Sequence, residues 1–244
     1  MTIRTDVYQA PIQDFIQPVL TEVTAQLQAI LPNMHSLYLY GSAASGKAIN
    51  GKSDLDLTLV LTTELTEIQQ QQLNCLKYHL VDKYKTVSKI DFDCGLLDEI
   101  LNEKSLYRWG SWLKHYCQWV DGDNLRLHFP VFKPSRQLAI AINLGYAQLI
   151  QDDLALLEAT TSANTKILLK NQICKRLIRA SNIKRPLEEQ QWPFQLEDYI
   201  QLFSRWYPNL STDIHYFYSL LKHVTFSTEQ LKNKAFLFMG FLSS

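Results

Sequence analysis

The sequence predicts an α+β protein in two parts, a small sheet with helices followed by an all-helical half. Three observations predict this. Residues 36–120 hold short apolar runs broken by Gly, Ser and Asp, the pattern of strands and turns. Residues 134–240 hold long apolar repeats at helical spacing with few glycines. Between them, Asp121-Gly-Asp-Asn124 reads as a turn and sets the expected boundary, with one domain over 1–120 and a second over 121–244.

The first element is a helix over about 12–31, where Ile12, Phe15, Ile16, Val19, Leu20, Val23, Leu27 and Ile30 recur on one face. Pro32 ends it, and Pro18 inside it calls for a kink or a late start. Leu37-Tyr-Leu-Tyr40 is a short strand that stops at Gly41-Ser42. Leu55, Leu57, Leu59 and Leu61 alternate with Asp54, Asp56, Thr58 and Val60, which is a strand with one leucine face. A polar helix over about 64–83 follows, then a third strand over Val87–Cys94. After Asp98 the spacing turns helical, and Leu106, Trp109, Trp112, Leu113, Tyr116 and Trp119 form an aromatic stripe suited to packing. Later helices are expected over about 135–159, 164–181, 195–206, 211–224 and 228–240.

The bulk numbers exclude several classes. The 244 residues carry 24 Lys plus Arg against 24 Asp plus Glu, a net charge of +0, which removes the general signature of a nucleic-acid binder. The charge divides mildly, with 10 basic and 13 acidic side chains over 1–120 (net −3) and 14 and 11 over 121–244 (net +3). Cys75, Cys94, Cys117 and Cys174 are far apart and form no Cys-x-x-Cys pair, so neither a zinc ribbon nor a disulfide framework is indicated. The six histidines show no metal spacing. No apolar run approaches the ~20 residues that span a bilayer, and the first residues lack the apolar stretch of a secretion signal. The expectation is a reduced, cytoplasmic chain with no membrane partner.

The chemistry lies in Tyr40-Gly-Ser-Ala-Ala-Ser-Gly-Lys-Ala-Ile-Asn-Gly-Lys-Ser-Asp-Leu-Asp-Leu57. Gly41 lets the backbone approach a ligand closely, and the N–H groups that open a helix, with the Ser42 hydroxyl, can hold phosphate oxygens. Asp54 and Asp56, two apart on a strand, share a face. Neighbouring carboxylates repel unless a cation lies between them, and hard oxygen ligands suit magnesium. Asp91 and Asp93 share a face of the third strand. If that strand pairs beside 55–61, one of them completes a cluster of three carboxylates able to hold two metal ions. Either feature alone fits a capped turn or an edge-strand charge equally well.

Tyr40-Gly41-Ser42, eleven intervening residues and Asp54-Leu-Asp56-Leu57 together resemble the signature of the DNA polymerase β-like nucleotidyltransferase superfamily. Within it they are most similar to the bacterial aminoglycoside adenylyltransferases of the streptomycin and spectinomycin type. The strong part of the likeness covers about 36–100. Ile90-Asp91-Phe92 with Asp98-Glu99-Ile100 continues it, and Lys175-Arg-Leu-Ile-Arg179-Ala and Trp206-Tyr-Pro208 continue it more weakly.

The resemblance implies a small mixed β-sheet nucleotidyltransferase domain followed by the helical domain, with substrates meeting in the cleft between them. It implies that Gly41 and Ser42 hold the β- and γ-phosphates. Asp54 and Asp56 ligate two magnesium ions, and Asp91 is the third carboxylate, near the acceptor hydroxyl. The distance to Asp98-Glu99 favours Asp91 over Asp93. Lys175 and Arg179, four apart on one helix face, are expected to reach the triphosphate. The implied reaction moves AMP from ATP onto a hydroxyl of a small molecule such as an aminoglycoside, or of a macromolecule.

A polycationic acceptor calls for a carboxylate-rich wall, for which Asp152, Asp153, Glu158, Glu188, Glu189, Glu197 and Asp198 are the candidates in the second half. The net +3 of that half speaks against it. The alternative is a non-catalytic nucleotide-binding or antitoxin-like module that keeps the fold, and the presence of all three carboxylates favours the enzyme.

Overall fold

The computed structural model describes residues 1–244 and divides into two compact units, Thr2–Phe132 and Lys133–Ser244 with Met1. The units part at Phe132/Lys133, not at 120/121. The expected boundary fell inside a strand that the turn-like composition of 121–124 conceals.

In the first unit, α1 (Gln17–Ile30) begins with Pro18 in its first turn, so the proline starts the helix instead of kinking it. Its buried face is Val19, Leu20, Val23 and Leu27. Then come β1 (Met34–Tyr40), the four-residue α2 (Gly41–Ala44), β2 (Leu55–Leu61), α3 (Glu67–Lys83) and β3 (Ile90–Leu96). The Thr66–Gln69 capping box starts α3. A short α4 (Leu97–Leu101) and a π-turn over 106–110 lead to α5 (Ser111–Tyr116) and β4 (Gln118–Gly122).

The sheet order is β3-β2-β1-β4, with β2 parallel to β3 and the other pairs antiparallel, so the sheet is mixed. Leu37, Leu39, Leu55, Leu57 and Leu59 are fully buried on one face. Each stabilises the unit by roughly 1.5–3 kcal/mol. The other face carries Tyr40, Asp56 and Asp91 side by side across three strands, because Tyr40 pairs with Asp56 and Asp56 with Asp91.

Gly122 explains why β4 was illegible. It has φ +74°, and a Cβ there would lie 2.2 Å from the His35 carbonyl oxygen. Glycine reads as a breaker, but here it lets β1 approach. His115 ties the end of this unit to its start. Its Nδ1 donates to the Arg4 carbonyl at 2.9 Å, and its Nε2 accepts from Phe132 N–H at 3.1 Å. That pairing needs a neutral ring, and burial lowers the pKa of His115 accordingly.

The second unit is all-helical outside its connections: α6 (Arg136–Ile142), α7 (Tyr146–Ala159), α8 (Ala163–Ala180), α9 (Leu196–Trp206), α10 (Ser211–Leu220) and α11 (Thr228–Ser243). The single helix expected over 135–159 is two, broken at Asn143–Gly145. Leu154, Leu157, Ile173, Leu177, Phe203, Phe217 and Phe238 meet in its core. No helix is long and apolar enough to cross a membrane.

Candidate active site

The β1–α2 bend sets the site. Gly41 has φ +72°, and a Cβ there would lie 2.2 Å from Asp56 Oδ2, so only glycine brings the backbone against that carboxylate. Ser42 follows in the first turn of α2, whose leading N–H groups have no partner within the helix. Its carbonyl accepts from Lys47 N–H at 2.8 Å, which closes the small-residue turn.

Asp54 precedes β2, Asp56 is its second residue, and Asp91 lies opposite Asp56 on the edge strand β3. One oxygen from each of the three lies within 4.8 Å of the others, and all three residues are half-buried. Asp93 is not in this group. Its Oδ2 accepts from the Tyr40 hydroxyl at 2.5 Å. Burial, then that bond to a carboxylate, pushes the Tyr40 pKa up, so the phenol stays protonated.

Each outer carboxylate has a donor from the two residues before β3. Ser88 Oγ donates to Asp54 Oδ1 at 2.7 Å, and Lys89 Nζ donates to Asp91 Oδ2 at 2.6 Å. Asp56, in the middle, is pushed up to about 7, first by burial and then by the charges of Asp54, Asp91 and Asp93; Lys89 opposes them. Burial disfavours the charge on Lys89, but Asp91, Asp54 and Asp56 outweigh it and hold its pKa above the usual value. Three convergent carboxylate oxygens with an unrelieved charge on the central one form a hard-oxygen donor set that fits a divalent cation such as magnesium.

The aromatic stripe divides. Trp109 is buried, with Nε1 donating to Glu99 Oε1 at 3.0 Å. Trp112 borders the carboxylate face. Its Nε1 donates to Thr58 Oγ1 at 3.2 Å, its ring meets Tyr40 edge-on at 4.9 Å, and it stacks on Tyr116 at 5.4 Å. Trp119 lies on β4, outside the stripe, and is exposed.

The second unit holds the expected basic residues on α8. Lys175 and Arg179 are exposed one turn apart and make no ion pair. Lys170 is buried, and its ammonium donates to the carbonyls of Leu220 at 2.5 Å and His223 at 2.6 Å. Arg176 pairs with Asp153.

The acidic candidates of this unit are largely committed as well. Glu158 pairs with Lys232, and Glu189 with Arg205. Glu197 accepts from the Tyr218 hydroxyl, and Asp198 accepts from the N–H groups of Phe194 and Gln195 at the start of α9.

Reasoning from sequence missed Ser88, Lys89 and the tie between Tyr40 and Asp93. A signal for Lys89 was present, because the period of two that puts Asp91 and Asp93 on one face puts Lys89 there too.

No protein-family model and no curated protein matches the sequence. Among solved structures, the chain is similar to a spectinomycin adenyltransferase, AAD(9), from Enterococcus faecialis with ATP and spectinomycin. The TM-score is 0.57 at 16% identity, over 93% of this chain and 99% of that one. The two share a fold, a mixed sheet unit followed by a helical region. A tri-AMPylated Shewanella oneidensis HEPN toxin in complex with MNT antitoxin aligns with 60% of this chain at 16% identity and a TM-score of 0.29, too low to indicate a shared fold.

Proposed function

We propose that this chain is a nucleotidyltransferase that moves AMP from ATP onto an acceptor hydroxyl. The observation that carries the reading is the convergence of Asp54, Asp56 and Asp91 to within 4.8 Å beside the Gly41-Ser42 bend. The shared fold with an adenyltransferase solved with ATP supports the choice of nucleotide. Asp54, Asp56 and Asp91 would hold magnesium, two ions in this reading, which when bound supplies positive charge to the triphosphate and lowers the pKa of a bound hydroxyl.

The remaining roles fall to the chain's own groups. The N–H groups at the start of α2 and the Ser42 hydroxyl receive phosphate oxygens, while Gly41 keeps that backbone clear of a side chain. Asp91, on the edge strand and next to solvent, faces the acceptor hydroxyl. Lys175 and Arg179, exposed on α8 and without an ion pair, are the residues assigned to binding nucleotide phosphates. The acceptor oxygen bonds to the α-phosphorus, the bond to the bridging oxygen breaks, and pyrophosphate leaves with that electron pair. The hydroxyl proton passes to a site carboxylate or to water.

The acceptor is not expected to be a strong polycation. The second unit is net positive, and Asp153, Glu158, Glu189, Glu197 and Asp198 already have partners. The test is incubation with ATP labelled at the α-phosphate, magnesium, and separately an aminoglycoside panel, tRNA or cell lysate. Label is expected in one of these species with release of pyrophosphate. No transfer to any of them, with no binding of ATP, would refute the reading.

A further inference from the structure

Resting on that reading, we infer that Lys89 is a positioning residue that competes with the divalent cation for Asp91 and so sets the metal affinity of the site. The ammonium is placed by backbone pairing. The Lys89 carbonyl accepts from Leu55 N–H at 2.8 Å, directly between Asp54 and Asp56 in sequence, and the β2–β3 ladder begins at the next residue, Ile90. This fixes the root of the side chain two residues from Asp91 on the same strand face. From there Nζ reaches Asp91 Oδ2 at 2.6 Å, while Asp54 and Asp56 add attraction.

Lys89 therefore occupies, with one charge, an oxygen that a divalent ion would attract with two. Ser88 on the neighbouring carboxylate does not compete in this way, because a hydroxyl orients Asp54 without neutralising it. Lys89 also has somewhere to go. Its side chain is 59% exposed and borders a groove of about 300 Å³ between α3 and the β3 edge, lined by Asn74, Lys77, Tyr78 and Ser88. Asn74 and Tyr78 offer oxygens there. The ammonium of the other lysine in the groove is 4.9 Å from the centroid of the Phe92 ring. Metal binding at that oxygen then requires the Lys89–Asp91 pair to open. The pair holds Asp91 in position when no ion is present.

The test is manganese binding without nucleotide, read from the electron paramagnetic resonance signal of free Mn²⁺, for the wild type, Lys89→Gln, Lys89→Arg and Lys85→Gln. Lys85 is an exposed lysine paired with Asp82, so its variant makes the same change in net charge away from the cluster. Lys89→Gln is expected to bind Mn²⁺ about ten-fold more tightly. Lys89→Arg and Lys85→Gln should stay within about two-fold of wild type, on the same electrostatic argument. Unchanged or weaker binding by Lys89→Gln, or an equal gain in Lys85→Gln, overturns the role of Lys89 and leaves the nucleotidyltransferase reading standing. A wild type that binds no Mn²⁺ overturns both.

Discussion

The two units each concentrate charge of one sign, and they handle it in opposite ways. On the sheet, Asp54, Asp56 and Asp91 converge around one point. Their partners within the chain are a hydroxyl and a single ammonium, and the central carboxyl is pushed up to about 7. On α8, the cations Lys170, Lys175, Arg176 and Arg179 do not converge. Lys170 turns inward to the carbonyls after α10, Arg176 pairs with Asp153, and the other two face solvent. A fold can relieve like charges by separating them or by pairing them, and α8 does both. The sheet pairs only Asp91, with Lys89, and leaves Asp54 and Asp56 beside it, although a one-residue register shift between β2 and β3 would part Asp56 from Asp91. Repulsion held in place by backbone pairing is what a bound cation would relieve. Relieved charge marks structure.

The sharpest way to break this contrast is to remove charge from the cluster. Asp54→Asn and Asp56→Asn should each lower kcat/KM for AMP transfer on the order of 10³-fold, with the fold intact by circular dichroism. Asp93→Asn, which removes a charge near Asp56 and weakens the bond with Tyr40, should cost less than about ten-fold, because Asp93 lies outside the converging oxygens. Equal losses for Asp91→Asn and Asp93→Asn would erase the distinction between them.

On α8 the contrast predicts a separation of effects. Lys170→Met removes the ammonium that donates to the carbonyls of Leu220 and His223. It should lower stability by roughly 2–4 kcal/mol in chemical denaturation, with little change in turnover per folded molecule. Lys175→Ala and Arg179→Ala should do the reverse. Each should weaken kcat/KM for ATP by about 10–100-fold while stability moves by less than about 0.5 kcal/mol. Loss of stability in the Lys175 or Arg179 variants would place them with Lys170 and Arg176.

The strand–bend–strand core of the site was legible because each feature had a local physical signature. Alternating leucines fix which face Asp54 and Asp56 occupy, and Gly41 is required by a contact within the same hairpin. The helical half was legible as helices because apolar spacing at 3.6 residues survives single-sequence reading. Other features depend on partners distant in sequence. β4 hides behind Gly122, whose need arises from His35 in β1. The break at Asn143–Gly145 lies in a stretch whose apolar spacing continues across it. Lys170 and Lys175 look alike in sequence, and only the position of α10 turns one into a buried donor. Lys89 was missed because its partner Asp91 is named only once β3 pairs with β2 and gathers the three carboxylates.

The last test separates the cluster's charge from its chemistry. Asp56 has a folded pKa of about 7 against 3.8 for an ordinary carboxyl, so between these values the folded protein binds more protons than the unfolded chain. The contribution of Asp56 to the stability of the metal-free protein should therefore fall as pH rises from about 4 to about 7, and level off above. The folded carboxyl loses its proton at a cost that the exposed unfolded carboxyl does not meet. Asp56→Asn removes that ionisation, so its denaturation midpoint should rise relative to wild type over this range. It should exceed the wild-type midpoint at pH 8 by the equivalent of roughly 1–2 kcal/mol. Saturating magnesium should raise the wild type at pH 8 and leave Asp56→Asn nearly unmoved, since the ion stabilises only a protein that binds it. Parallel pH curves for the two proteins without metal would mean that Asp56 is not under strain from its neighbours. The sheet cluster would then differ from α8 only in geometry.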